Sequence, residues 1–268
     1  ARRGCRFMKK PSLESLGLDL LETTRGERVR SLALPFLTCA GFFVAATYGW
    51  WVVSLACAVL QSFFTYASVS HDLVHRTLRL PGWLNEVLLS LIEGLSFRSG
   101  HAFRATHLHH HQRFPQAADL EGAAARMRWW GALLDGLTAQ GRLWFWALQH
   151  TRGSSRKWII GEGVGVVLLA IACLLSPVGI FYLVVTVAGS WVYPLMTSFM
   201  PHDTSVDDPL RQTRLFRGRV VAWLSWEHLY HLEHHLYPQV PHQRWKELGK
   251  RLDPYFSEQG IKPIILWK

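Results

Sequence analysis

The stretch "LALPFLTCAGFFVAATYGWWVVSLACAVLQSFFTYASVS", Leu32–Ser70, runs for 39 residues without an Asp, Glu, Lys or Arg. One helical crossing of a bilayer needs only about 20 residues at roughly 1.5 Å each. The run is therefore long enough for two crossings, and Tyr48, Gly49 and Trp50 mark a turn between spans near 32–48 and 50–70. Trp158–Met200 repeats the pattern, with Glu162 as its only charge and a turn at Ser176, Pro177 and Gly179. That predicts two further spans, near 158–175 and 177–200. Uncharged runs of this length do not suit the core helices of a soluble protein. The first starts after 30 residues and lacks a small-residue cleavage pattern at its end, so it reads as a retained span and not as a secretory signal. The predicted fold is an all-α integral membrane protein, a single domain over residues 1–268 with four transmembrane helices arranged as two hairpins.

Charge sets the expected orientation. The chain holds 29 Lys and Arg against 19 Asp and Glu, a net charge of +10, and neither hairpin tip carries a Lys or Arg. The positive-inside rule then places both termini and the 71–157 segment on the cytoplasmic face. Within that segment, Trp83–Phe97 and Trp129–Leu148 have helical apolar spacing but are too polar to span, which predicts an interfacial helical cap. A basic cytoplasmic face suits anionic lipid headgroups or an acidic redox partner. No nucleic-acid recognition motif accompanies it, so a nucleic-acid partner is not expected. Cys5, Cys39, Cys57 and Cys173 are scattered without metal-binding or redox spacing. Trp50, Trp51, Trp158 and Trp191 sit near predicted span ends, where indole rings anchor at the interface. No pattern in the chain fixes an oligomeric state.

The chain has 14 histidines, and their spacing is not random. His71 and His75, in "HDLVH", follow the second span at i, i+4. His107, His110 and His111, in "THLHHHQRFP", stand at i, i+3, i+4 on one helical face, which His109 leaves. The same spacing recurs at His231, His234 and His235 in "HLEHH", and His202 follows the fourth span in "FMPHD". Neutral imidazole is a strong ligand for iron, copper or zinc. Nine such ligands are too many for one ion and suit two, each with four or five. Asp72, Asp203 and Glu233 are candidate acceptors that orient ligand imidazoles, and His228 is the remaining histidine nearest the third group in sequence. His101, His109, His150 and His242 read as solvent-facing or supporting residues.

These motifs resemble the histidine boxes of the integral-membrane fatty-acid desaturase superfamily, a resemblance that covers most of the chain after Leu32. "HDLVH" is similar to the first box and "FRATHLHHH" to the second, with Asp119 and Glu121 in the acidic element that follows; "HLEHHLYPQVP" is similar to the third. His202 corresponds to the family's extra ligand, while Ser198 stands where some acyl-CoA desaturases place an Asn that holds a metal-bound water. The resemblance implies a di-iron oxidoreductase with O₂ as co-substrate, acting on an unactivated C–H bond of a long-chain lipid drawn from the bilayer. It implies His71, His75, His107, His110, His111, His202, His231, His234 and His235 as ligands, and fatty-acyl desaturation as the leading reaction. Carotenoid ketolases and hydroxylases and other lipid hydroxylases share the same pattern. The chain has no dinucleotide fingerprint, iron–sulfur spacing or haem segment, so electrons are expected from a separate ferredoxin or cytochrome with its reductase. A membrane metal-ion transporter is the alternative of another class, and it requires ionisable residues at mid-span.

Overall fold

The computed structural model describes residues 10–206, 208, 210–218 and 228–266. A short α1 (Leu13–Leu16) and a 3₁₀ turn lead into α2 (Arg25–Thr47). A reciprocal cap starts α2: Thr24 Oγ1 accepts from the Glu27 backbone N–H, and Glu27 accepts from the Thr24 N–H. That cap sets the first residue at Arg25, ahead of the apolar stretch itself. The chain turns at Tyr48–Trp50 into α3 (Trp51–Phe64), which passes through one π-helical turn at Thr65–Val69 into α4 (Ser70–His75). The second pair is α8 (Gly153–Cys173) and α9 (Pro177–Trp191), the latter ending in a π-helical turn at Pro194–Phe199. The turns between helices therefore fall where the sequence places them.

Two segments, Leu18–Thr47 and Pro177–Phe199, are long and apolar enough to cross a membrane. α3 is apolar but short, and α8 carries Arg156, Lys157 and Glu162. Val52 (83% exposed), Val164, Val167, Leu168 and Leu175 (83%) present apolar surface that no protein covers. Such a belt suits lipid contact. Glu162 is not left bare within it. His101 Nδ1 lies 2.7 Å from its carboxylate, Ser99 Oγ donates at 2.5 Å, and Ser90 Oγ donates as well. His101 is buried, not solvent-facing, because it bridges Glu162 and Glu86 (2.7 Å) and stacks on Trp158. A carboxylate among apolar helices is costly unless it is bonded in this way.

Between the pairs lie α5 (Gly82–Gly94), α6 (Gly100–Arg113), a 3₁₀ turn at Glu121–Arg126 and α7 (Trp129–His150). After the second pair come α10 (His231–Leu236) and α11 (Trp245–Glu258), with a two-residue parallel pairing of β1 (Phe216–Arg217) and β2 (Ile264–Ile265). The apolar side of α11, including Leu248, Leu252 and Phe256, packs with Leu232 of α10 and with Leu16 and Leu20 from the N-terminal turns. Arg251 ties Asp19 to this unit at 2.7 Å. α7 crosses the end of α9 so closely that a Cβ at Gly136 would lie 1.9 Å from the Trp191 carbonyl oxygen. Gly136→Ala is therefore expected to destabilise the protein by about 1–3 kcal/mol, as other overpacked cores are. Thermal unfolding in detergent measures this, and Gly141→Ala, where a Cβ meets open space, is the control.

Candidate metal centre

α4, α6, α10 and the segment after α9 converge on one buried region, and each brings histidines into it. The histidines sort into two groups of four whose ligand atoms lie within 4.8 Å of one another: His75, His107, His111 and His234, and His110, His202, His231 and His235. The i, i+4 pair of α6, His107 and His111, enters the first group while His110 between them enters the second. α10 does the reverse, sending His231 and His235 to the second group and His234 to the first. In the first group His111 Nε2 stands 3.0 Å from the Nε2 atoms of both His107 and His234. In the second, His235 Nε2 is 3.0 Å from His231 Nε2 and 3.2 Å from His202 Nε2. Nitrogens bound to one ion at about 2.1 Å sit roughly 3.0–3.4 Å apart for coordination angles between square and tetrahedral.

The tautomers follow from the other ring nitrogen. A backbone carbonyl only accepts, so Nδ1 of His71, 2.7 Å from the Tyr66 oxygen, and Nδ1 of His202, 2.8 Å from the Ser198 oxygen, both carry hydrogen when the rings are neutral. His107 Nδ1 donates to Glu121 (2.8 Å) and His110 Nδ1 to the fully buried Asp119 (2.7 Å). Each ring is thereby left with an Nε2 lone pair, the form that binds metal. His75 Nε2 is buried with no hydrogen-bond partner. Lone pairs crowded this closely repel unless a cation lies between them, so the donor set fits two metal ions. An all-imidazole set suits redox-active iron or copper as well as zinc.

Burial keeps these rings neutral. It pushes His71 down to about 4, His75 and His202 to about 3 and His111 to about 2, with neighbouring histidines adding to the effect at His75 and His111. His107, His231, His234 and His235 also lie well below the usual imidazole range for the same reason. His110 moves upward: burial opposes its charged form, but the bonded Asp119 carboxylate and Glu121 outweigh it. Burial raises the Glu121 carboxyl to about 7.

His71 lies beside the first group but outside both foursomes, with its ring 4.6 Å from that of His107 and 5.0 Å from that of His234. His109 turns away, as its helical position predicts, onto Trp146 and the Ala118 carbonyl. The candidate orienting carboxylates reach other partners. Asp72 holds His242 (2.6 Å) and Thr77, Glu233 pairs with Arg217 (2.7 Å), and Asp203 bonds Ser205. None of the three bonds a ligand imidazole among the described residues, and Asp119 and Glu121 take that role instead. Ser198 contributes through its carbonyl, while its Oγ accepts from the Ala125 N–H. The side chain of His228 lies outside the described residues.

Residues 46–267 match the family described as Fatty acid desaturase. The chain belongs to that family. No curated protein matches it. Membership makes this desaturase-family chain a membrane-bound oxidoreductase of lipid metabolism. Its acidic element shows why the loop after α6 matters locally: Gly122 donates its N–H to Asp119 at 3.0 Å, and a Cβ there would strike the same carboxylate.

Asp119→Ala and Glu121→Ala are expected to weaken metal retention about 10–100-fold against a chelator, as loss of a ligand's hydrogen-bond acceptor does. Asp203→Ala leaves retention unchanged; an equal loss in all three variants would refute the assignment. Histidines held below 6.5 when folded but free to take a proton near 6.5 when unfolded contribute stability that is present above that pH and lost as pH falls. Thermal unfolding of chelator-treated protein should therefore shift downward from pH 6.5 towards pH 4.

Proposed function

We propose that this chain is a four-span membrane protein with a cytoplasmic cap that oxidises an unactivated C–H bond of a long-chain lipid, by fatty-acyl desaturation, at two histidine-held irons. The observation that carries this reading is a junction of two cavities. A cavity of about 50 Å³ is lined by His71, His107, His110 and His231, together with Tyr66, Glu121 and Ser198. Tyr66 and Glu121 also line a cavity of about 610 Å³ between α6, α7 and α8 whose walls include Phe103, Trp144, Phe145, Val164 and Val167. That volume lies in the range of sites for small lipophilic ligands. Val164, Val167 and Leu168 are on the exposed apolar surface of α8, so the cavity wall is continuous with the face a bilayer would touch.

Two irons held by the histidines would supply the chemistry of O₂ activation and hydrogen removal, with two electrons from an external donor. The chain's own residues set the conditions. Asp119, Glu121 and the carbonyls of Tyr66 and Ser198 keep the imidazoles in the ligating tautomer. The apolar wall positions a hydrocarbon segment and excludes water, which favours reaction over leakage of reactive species. The basic residues outside the hairpins suit docking of an acidic ferredoxin or cytochrome. A transport pathway has less support, since Glu162, the lone charge of the long runs, is tied up by His101, Ser90 and Ser99.

The purified protein should hold about two irons per chain; one zinc, or no metal after iron-replete expression, would sink the reading. His234→Ala and His110→Ala should abolish oxidation while membrane insertion persists. Lipid and pigment profiles of cells expressing wild type and these variants should differ by an alkene, and a hydroxylated or ketone product would overturn desaturation. Reporters fused at Gly49 and Ser176 should both lie on the side opposite the C-terminus.

A further inference from the structure

The wall of the large cavity is mostly apolar, with one buried cation. Arg98, 6% exposed, follows α5 and lines the cavity beside Tyr66. Its Nε lies 2.9 Å from Oε2 of the fully buried Glu93, and its Nη2 donates to Oε1 at 3.3 Å. Ser70 Oγ donates to the same carboxylate. The stacked rings of Tyr66 and Tyr193 flank the guanidinium, each centroid 4.8 Å from its central carbon. Nη1 has no hydrogen-bond partner, and Nε has none beyond its ion-pair contact with Glu93. A buried donor without an acceptor is costly, and folded proteins retain few of them. The other hydroxyls of the wall are already engaged, Ser99 with Glu162 and Thr106 with the α6 backbone.

The pairing also limits what this donor can receive. Glu93 balances the charge of Arg98, with its Oε2 beside Nε and its Oε1 accepting from Nη2. A carboxylate or phosphate would meet an already neutralised guanidinium with a second carboxylate beside it. An uncharged oxygen needs only one N–H of the unpartnered Nη1. Tyr66 stands between this donor and the histidines, its ring 5.8 Å from that of His71.

We propose that Arg98 is a specificity-determining residue that binds an uncharged acceptor oxygen, a hydroxyl or an ester, thioester or ketone carbonyl, on the lipid segment next to the oxidised carbon. The substrate thus carries its oxygen inside the cavity, and an unfunctionalised hydrocarbon is a poor ligand. This inference rests on the large cavity being the lipid site of the proposed oxidation.

The test uses the full chain in phosphatidylcholine nanodiscs, and competition binding with octadecane, stearyl alcohol, methyl stearate and stearate. The readout needs neither iron nor turnover, so its failure is separable from failure of the di-iron reading, which the metal count and lipid profiles decide. Alcohol and ester should bind roughly tenfold tighter than the alkane, the effect of one hydrogen bond to a charged group. Glu93→Gln/Arg98→Gln, which removes both charges together, should bring that ratio to about one and leave alkane binding unchanged. If the double variant loses alkane binding as well, Arg98→Lys, which keeps the charge beside Glu93, carries the comparison and should lose most of the preference. Equal binding of alkane and alcohol by wild type, tightest binding of stearate, or a preference that survives both substitutions would each overturn the assignment.

Discussion

Imidazole nitrogens held 3.0–3.4 Å apart with their lone pairs turned inward repel one another, and the histidine-bearing elements of this protein are organised around imposing that arrangement. The outer nitrogens do the holding. His107 and His110 are fixed by Glu121 and Asp119, and His71 and His202 by main-chain carbonyls at the two π-helical turns. Each bond fixes ring orientation and tautomer at once, so the ligating nitrogens are aimed before any ion arrives. α4, α6, the segment after α9 and α10 all meet at this point. Asp72 of α4 reaches His242 across 170 residues of sequence, and Glu233 of α10 reaches Arg217, so these carboxylates join elements instead of orienting the clustered imidazoles.

Burial of this kind has a chemical consequence. Taking so many imidazoles out of water makes their charged forms expensive, which leaves neutral ligands near neutral pH and couples metal retention to acidity. The same dry surroundings continue into the large cavity, where Tyr66 and Glu121 form the boundary between the polar centre and an apolar wall. A lipid chain and a redox centre can therefore be neighbours without a water-filled path between them. Arg98 is the buried cation in that wall, and its carboxylate partner and flanking tyrosines make its charge tolerable there.

Much was legible from spacing alone. Turns near Gly49 and Ser176, the placement of His71 and His75 just past an apolar helix, and the departure of His109 from the face of His107 and His111 all follow from helical geometry and chain length. These are local properties, set by periods of 3.6 residues and by the cost of unpaired backbone in lipid. The family resemblance in the histidine boxes rests on the same local patterns and agrees with the match over residues 46–267.

What only the tertiary structure decided is which atoms meet across the chain. Helical spacing places His107, His110 and His111 on one face but is silent about their division between two groups, because that division depends on where α10 docks against α6. Nearness in sequence pointed to Asp72, Asp203 and Glu233 as partners of neighbouring histidines, yet Asp72 and Glu233 turn to other elements and Asp203 bonds Ser205 in its own loop. The acceptors that do reach the ligands come from the loop after α6 and from carbonyls, and a carbonyl has no sequence signature because every residue carries one. His101 and Glu162, 61 residues apart, look like a stray histidine and a stray charge until packing brings them to 2.7 Å. The chain by itself determined a membrane-associated, histidine-rich helical protein; long-range packing decided how its imidazoles divide, what orients them and what lines the cavity beside them.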